Sequence, residues 1–317
     1  MWLRLGNFCN PSGADELQVL VFGAAGFVGR NLIETLTKSE DEIVASDTVD
    51  DPFGGALSYM KADLLDRNRI TDSVKDARVI VHLAASSLVA SLQDPIGNMK
   101  INLEGTLNIL EAARKHDVKK VIYSSASSVV GTPRYNPVDE DHPCNPKTPY
   151  AVTKKACEDY IRVYNELYGL QYLVFRFFNV YGPWQSHKSG ALIPTLYKIL
   201  AEGSEFQVYG DGSSTRDFIY VEDLVEYLSL AIKGQVDNTT VNLGTGLGTS
   251  IVQLIELGSG LLGVKPRIAF KPSRPGEIGN FVADTRRLIE LFGRRPTTSL
   301  EEGLKRSFAW LQAHQSS

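Results

Sequence analysis

Cysteine is scarce in this chain: Cys9, Cys144 and Cys157 are odd in number, far apart and in no CxxC arrangement. That argues against a disulfide framework or a zinc site and fits a reducing compartment. Long apolar runs are missing as well. None approaches the roughly 20 residues a membrane-spanning helix needs, so no membrane partner is expected. Nor is positive charge in excess, since 33 Lys and Arg stand against 37 Asp and Glu for a formal charge of -4. With no basic tract, a nucleic-acid partner is disfavoured. Repeats and low-complexity tracts are absent. Residues 1–16 carry Asn, Pro, Ser and Gly and an apolar stretch too broken for a secretory signal. They read as a loose extension, which makes the expected location cytoplasmic.

What is present is a globular composition, 43% hydrophobic and 22% charged, in a chain of 317 residues that suits two closely joined lobes. Residues 18–22 form a short apolar run rich in β-branched residues, followed by glycines and then the helical pattern Phe27, Val28, Leu32, Ile33, Leu36. The alternation continues with strands at 42–47, 60–64, 79–83, 120–124 and 171–177. Helices are expected near 67–74, 95–116 and 148–168. Such alternation implies an α/β fold of Rossmann type, a doubly wound parallel sheet covered on both faces. After about Asn179 the rhythm breaks at Pro183, Pro194, Gly203, Gly210 and Gly212. The expected division is therefore a dinucleotide-binding domain over 17–178 and a smaller substrate-binding lobe over 179–317, with segments near 223–245 returning to the first.

Gly23, Gly26 and Gly29 follow the first strand in GxxGxxG order. Glycines so placed allow a tight turn, close approach of backbone to a pyrophosphate and close packing of helix on sheet. The helix that follows offers its N-terminal amides to the phosphates. Asp47 closes the second strand, where a carboxylate accepts hydrogen bonds from an adenosine ribose and repels a 2'-phosphate. Neither Thr48 nor Val49 could hold such a phosphate, so the cofactor expected is NAD rather than NADP. The bland alternative is an ordinary turn with Asp47 as a solvated strand end.

Tyr150 and Lys154 stand four apart, on one face of a helix that Pro149 would start. An ammonium ~4 Å from the phenolate, at an effective dielectric of ~20, is worth about 4 kcal/mol, or roughly three pKa units. That would carry the phenol from near 10 toward the range where a general base is efficient. Alone, the spacing also fits a surface pair with a snorkelling lysine; after a nucleotide fingerprint it reads as a base and its electrostatic helper.

These residues resemble the extended short-chain dehydrogenase/reductase superfamily, and within it the NAD-dependent nucleotide-sugar epimerase/dehydratase family, over most of the chain from Gln18 to about Trp310. The motifs come in the family's order: Gly23 to Gly29, Asp63-Leu64, His82-Leu83-Ala84-Ala85, Asn102 to Thr106, Ser124 to Gly131, Tyr150 with Lys154, and Arg176 to Pro183. Gly210-Asp211-Gly212, Arg216-Asp217-Phe218, Asn242-Leu243-Gly244 and Arg274-Pro275-Gly276-Glu277 follow. The resemblance implies that Phe27 and Val28 lie with the glycine turn against the cofactor, that Asp63 and Leu64 flank the adenine, and that Leu83, Ala84, Ala85 and Ser124 line the dinucleotide. Asn102 would hold the cofactor or the active-site helix, and Phe177 would lie against the nicotinamide. Asn179, Arg216 and Arg274 would reach the nucleotide sugar, with Glu277 near its ribose. Arginine suits a diphosphate because it offers two parallel bonds. Arg216 could instead pair with Asp211 or Asp217, and Arg274 could be a surface charge.

The chain departs from the family where a catalytic Ser or Thr is expected, for it has Ala126, and Val130 replaces a tyrosine. Ser125 or Ser127 is expected to supply the hydroxyl, with Ser125 preferred because Ser127 and Ser128 suit capping or lining the loop. The implied reaction has Tyr150 take the proton of a sugar hydroxyl at C4 while hydride passes to NAD, giving a keto sugar that is re-reduced on its other face. Dehydratases of the family carry an Asp-Glu pair where Ser127-Ser128 stand, and decarboxylases a Glu before Val129. A 4-epimerase of a UDP-hexose or UDP-N-acetylhexosamine is thus expected. A decarboxylase, dehydratase, 4-keto reductase or non-catalytic dinucleotide-binding protein are the alternatives. The stripes on the helices near 95–116 and 148–168 either pair two copies into a homodimer or face the sheet alone.

Overall fold

The computed structural model describes residues 18–38, 41–273 and 279–314; the segment 1–16 lies outside them. The first six strands are β1 (Gln18–Phe22), β2 (Glu42–Asp47), β3 (Ser58–Lys61), β4 (Val79–His82), β5 (Lys120–Ala126) and β6 (Gln171–Phe177). The chain then leaves for β7 (Asn179–Tyr181), β8 (Glu205–Tyr209) and β9 (Thr215–Tyr220), returns as β10 (Thr239–Leu243), and leaves again for β11 (Gly248–Ser250) and β12 (Arg267–Lys271). Seven strands make one parallel sheet in the order β10-β6-β5-β4-β1-β2-β3. Val19, Leu20, Val21 and Phe22 are all buried, as an unbroken apolar strand covered on both faces must be. Strand order reverses beside β1, which opens a crevice at the carboxyl ends of β1 and β4.

Along the chain the helices are α1 (Phe27–Leu36), α2 (Arg67–Ser73), α3 (Leu88–Gln93), α4 (Pro95–Met99), α5 (Gly105–Lys115) and α6 (Pro149–Tyr168). They continue with α7 (Leu192–Ala201), α8 (Val221–Lys233), α9 (Ile251–Leu262), α10 (Arg286–Phe292) and α11 (Leu300–Ala313). On one face of the sheet, Leu32, Leu36, Leu224, Leu228 and Leu288 of α1, α8 and α10 join Val19 and Val21. On the other, Ile70, Ile109, Leu110, Cys157 and Ile161 of α2, α5 and α6 join Leu20 and Phe22. A third core holds α7, α9 and α11 with β8 and β9 through Leu196, Phe206, Leu254, Leu304 and Phe308. Among the described residues no helix is long and apolar enough to cross a membrane.

The single helix expected over 95–116 is instead α4, a π-helical turn at Lys100–Glu104 and α5, preceded by α3. Ser87 and Asp94 start α3 and α4 by accepting bonds from the amides of Ala90 and Gly97. The π turn carries Asn102, and such turns often mark a site. Helix α6 begins as its sequence dictates. Thr148 accepts from the Ala151 amide at 3.2 Å, Pro149 occupies the first position, and Gly169 ends the helix at φ +72°. Tyr150 therefore sits in its first turn and Lys154 one turn on.

Candidate active site

The turn after β1 is closed by backbone that only glycine permits. Gly23 has φ +82°, and a Cβ on it would lie 2.5 Å from the Ala84 nitrogen on the next strand's loop. A Cβ on Gly29 would lie 2.1 Å from the Gly23 carbonyl. Gly26 caps α1 without any side-chain hydrogen bond, so the first amides of the helix are left for an anion. Asp47 accepts from the Ala25 amide at 2.9 Å and from the Thr48 amide at 2.7 Å, so the second strand's carboxylate is fixed against the turn. Asp63, exposed, accepts from the Leu65 amide, while Leu64 is buried beside Gly105. This cradle fits a dinucleotide: amides for a pyrophosphate, a carboxylate for a ribose, and backbone packed too closely for side chains.

A cavity of about 280 Å³ lies at the carboxyl ends of β4, β5 and β6, lined by Phe27, Val28, Leu83, Ala85, Ser124, Ser125, Ala126, Tyr150, Lys154, Phe177, Phe178, Val180 and Gln185. Lys154 is fully enclosed. Its ammonium donates to the Ser124 carbonyl at 2.7 Å and lies 4.7 Å from the Tyr123 ring centre and 5.7 Å from that of Tyr150. Burial lowers the Lys154 pKa to about 8, and burial raises the Tyr150 phenol to about 12. The expected lowering of the phenol is thus reversed in this arrangement. The cause is desolvation of the phenol by burial. His82, buried behind Lys154, bonds Thr106 at 2.9 Å and is held neutral by burial, its pKa pushed down to about 3.

Asn102 is buried and serves the helix rather than an open cleft. Its side chain accepts from the Ser86 amide at 2.7 Å and donates to the Ser86 carbonyl and to Thr153 Oγ1, both at 3.2 Å. Thr153 lies between Tyr150 and Lys154, and Asn98 joins it at 3.2 Å. The loop after β4 is thereby tied to the face that carries the Tyr–Lys pair.

The serine run corrects one expectation. Ser125 borders the cavity, yet its hydroxyl donates to Glu158 Oε1 at 2.5 Å, and Glu158 also holds Arg176 through bonds of 3.0 and 2.8 Å. Ser124 donates to the His82 carbonyl at 3.0 Å. The Ser125 hydroxyl, at the cavity's edge, is thereby engaged by a buried ion pair on the helix that carries Tyr150 and Lys154. Ser128, by contrast, has a buried hydroxyl with no partner among the described residues. The Glu158–Arg176 pair was not foreseen, although an arginine within the apolar strand sequence of β6 calls for a counter-ion.

In the second lobe, Asn179 donates to the Asp217 carbonyl at 2.8 Å. Arg216 donates to the carbonyls of Thr215 and Gly279 at 2.8 and 2.7 Å. Asp217 is fully buried and accepts from Thr245, Gly246 and Ala283, a bracing role the sequence did not reveal. Arg274 and Glu277 lie outside the described residues. Among the described residues no cluster of His, Cys, Asp and Glu could hold a metal.

Open parallel sheets receive ligands at the reversal of strand order, and that is where the α6 face opens in this chain. The protein is therefore of the short-chain dehydrogenase/reductase class, in which a tyrosine and a lysine one turn apart meet a bound dinucleotide. Residues 19–244 match the NAD-dependent epimerase/dehydratase family, and the chain belongs to it. It is 34% identical over 305 residues to a UDP-glucose 4-epimerase of Mycolicibacterium smegmatis, covering 92% of this chain and 97% of that one. Among solved structures it is similar to a UDP-glucose 4-epimerase of Thermotoga maritima with UDP-glucose, at a TM-score of 0.88, 29% identity, and 95% and 100% of the two chains covered. A UDP-N-acetylglucosamine 4-epimerase of Methanobrevibacter ruminantium, in complex with UDP-N-acetylmuramic acid, also gives 0.88 at 29% identity, covering 94% and 99%.

Proposed function

We propose that this protein is an NAD-dependent 4-epimerase of a UDP-hexose or UDP-N-acetylhexosamine that works through a 4-keto sugar, with Tyr150 as the proton-transfer group. The observation that carries the reading is the shared cavity in which Tyr150 and Lys154 face Phe27 and Val28 of the glycine-turn helix and Phe177 of β6. Bound dinucleotide would supply the hydride acceptor and donor. Gly23, Gly26 and Gly29 with the α1 amides would hold its pyrophosphate, and Asp47 its adenosine ribose. Tyr150 would take the sugar's C4 hydroxyl proton and return it. Lys154, its ammonium 5.7 Å from the Tyr150 ring centre, would favour the phenolate, as would the positive charge of an oxidised nicotinamide were it bound. The substrate and cofactor classes rest on the family and on the epimerases the chain resembles.

The hydroxyl missing at Ala126 is assigned to Ser128, whose buried Oγ has no other partner among the described residues. An epimerase is favoured over a dehydratase or decarboxylase because Ser127 and Ser128 supply no carboxyl for elimination or for the loss of a carboxylate. Asn179, Arg216, Arg274 and Glu277 are the proposed nucleotide-sugar contacts. We place the dinucleotide-binding domain at 17–178 with returning segments near 223–245, and the substrate lobe at 179–317. A cytoplasmic homodimer is part of the same proposal. Leu92 and Ile96 of α3 and α4 and Val152 and Leu167 of α6 are 63%, 65%, 52% and 66% exposed, an apolar set that a second copy would cover.

The test is incubation with a panel of UDP-sugars and resolution of the products. Interconversion of C4 epimers is expected, and Tyr150→Phe should abolish it while NAD binding persists. An unchanged rate in Tyr150→Phe, or no product from any nucleotide sugar despite bound NAD, would refute the reading.

A further inference from the structure

The cavity beneath the glycine turn is lined by a residue with a buried polar atom that has no hydrogen-bond partner among the described residues. The residue is Gln185, and the atom is its side-chain oxygen. Its side-chain nitrogen donates to the Val180 carbonyl at 2.9 Å. That bond fixes which end of the amide is which, because a carbonyl can only accept and the nitrogen must face it. The oxygen is thereby left without a donor among the described residues, and a buried, unsatisfied amide oxygen is costly unless a ligand supplies one.

The loop that carries Gln185 is held rigidly on α1. Asn31 donates to the carbonyls of Pro183 and Phe27 at 3.0 and 2.8 Å, Trp184 donates to Glu34 at 3.1 Å, and the Arg30 guanidinium lies 4.4 Å from the Trp184 ring centre. The oxygen is therefore positioned before any ligand arrives. The cavity's apolar wall of Phe27, Val28, Leu83, Phe177 and Val180 suits a flat ring, while Ser124, Ser125, Tyr150 and Lys154 line it with polar groups. A nicotinamide ring has no N–H of its own; its donor is the carboxamide amine.

We infer that the side-chain oxygen of Gln185 accepts a hydrogen bond from the carboxamide amine of the bound nicotinamide and so positions the ring relative to Tyr150. This rests on the reading of the cavity as the nicotinamide end of the dinucleotide site. Gln185 acts on the cofactor's orientation and takes no proton. A ring so held cannot rotate freely about its bond to the ribose, and one face stays toward the sugar.

The experiment is competition binding of NAD, of its 3-acetylpyridine analogue, in which a methyl replaces the amine, and of ADP-ribose, which lacks the ring, to the purified full chain. Wild type should prefer NAD to the analogue by about tenfold, the effect of one buried hydrogen bond left unmade. In Gln185→Met the preference should fall to near one while ADP-ribose binds as in wild type. Equal loss of NAD and ADP-ribose affinity would mean that Gln185 merely braces its loop, and a preference kept in Gln185→Met would mean that the amine is held elsewhere; either overturns the inference. Should Gln185→Met fail to fold, the wild-type ratio decides alone, and a ratio near one overturns it. Failure of wild type to bind NAD at all would strike instead at the proposed function.

Discussion

Lys154 is buried at a cost, and the cost can be measured. In the unfolded chain its amine titrates at 10.5, and in the fold burial brings it to about 8. At about 1.4 kcal/mol per pKa unit, holding the ammonium in this site at pH 7 costs the fold about 3 kcal/mol. Against this stands the bond to the Ser124 carbonyl, 2.7 Å long and enclosed, whose loss would leave an orphaned acceptor worth about 1–3 kcal/mol. Lys154→Met, similar in volume, removes both terms. The variant freed of dinucleotide should therefore be as stable as wild type at pH 7 or more stable by up to about 2 kcal/mol.

The sign reverses with pH. Between about 8 and 10.5 the unfolded lysine binds more protons than the folded one, so wild-type stability rises relative to the variant across that window. Above it the lysine is neutral in both states, and the variant keeps only its disadvantage, the unpaired Ser124 carbonyl. Urea melts of both proteins from pH 7 to 11 give the difference directly, and buried tyrosines that titrate in both cancel. A difference that stays flat from pH 8 to 10.5 would mean that Lys154 is not desolvated as described. Loss of turnover together with unimpaired stability at pH 7 would mark the residue as retained for chemistry rather than for folding.

Asp47→Ala should relax the preference for NAD over NADP by about tenfold or more, the scale of one close charge repulsion at an effective dielectric of ~20; a preference left intact in binding titrations would place ribose reading elsewhere. Glu158→Gln strands the Arg176 guanidinium beneath the site and should cost about 3–5 kcal/mol in urea melts, with loss near zero ruling out a desolvated pair. Ser128→Ala should lower kcat by about tenfold to a hundredfold, in the range of a lost transition-state hydrogen bond, and Ala126→Ser introduced beside it should restore much of the rate. If Ser128→Ala turns over normally, the hydroxyl is not the substitute for the one missing at Ala126.

The sheet and the glycine turn were legible because both are local. β-branched runs, three glycines and a carboxylate at the next strand's end each declare their backbone in the residues themselves, and Gly23 carries the positive φ its position requires. The Tyr–Lys spacing was equally plain, since a cap at Thr148, Pro149 and a helical period place both side chains on one face. What the sequence does not carry is where a polar atom finds its partner across the fold. Ser125 looked like the nearest hydroxyl to Ala126, but register along β5 turns it to Glu158, thirty-three residues on, and that partner is set by the packing of α6 on the sheet. The break within 95–116 is of the same kind: the apolar stripe reads as one helix, and a π turn with Asn102 bonded to Ser86 goes with the loop after β4. Gln185 is the extreme case. Nothing in a Trp-Gln-Ser sequence distinguishes it from a surface loop, and it acquires meaning only when the Val180 carbonyl takes its nitrogen and its oxygen is left without a donor among the described residues. Local pattern names the cofactor class, whereas long-range hydrogen-bond partnership decides which side chains remain free to act on it.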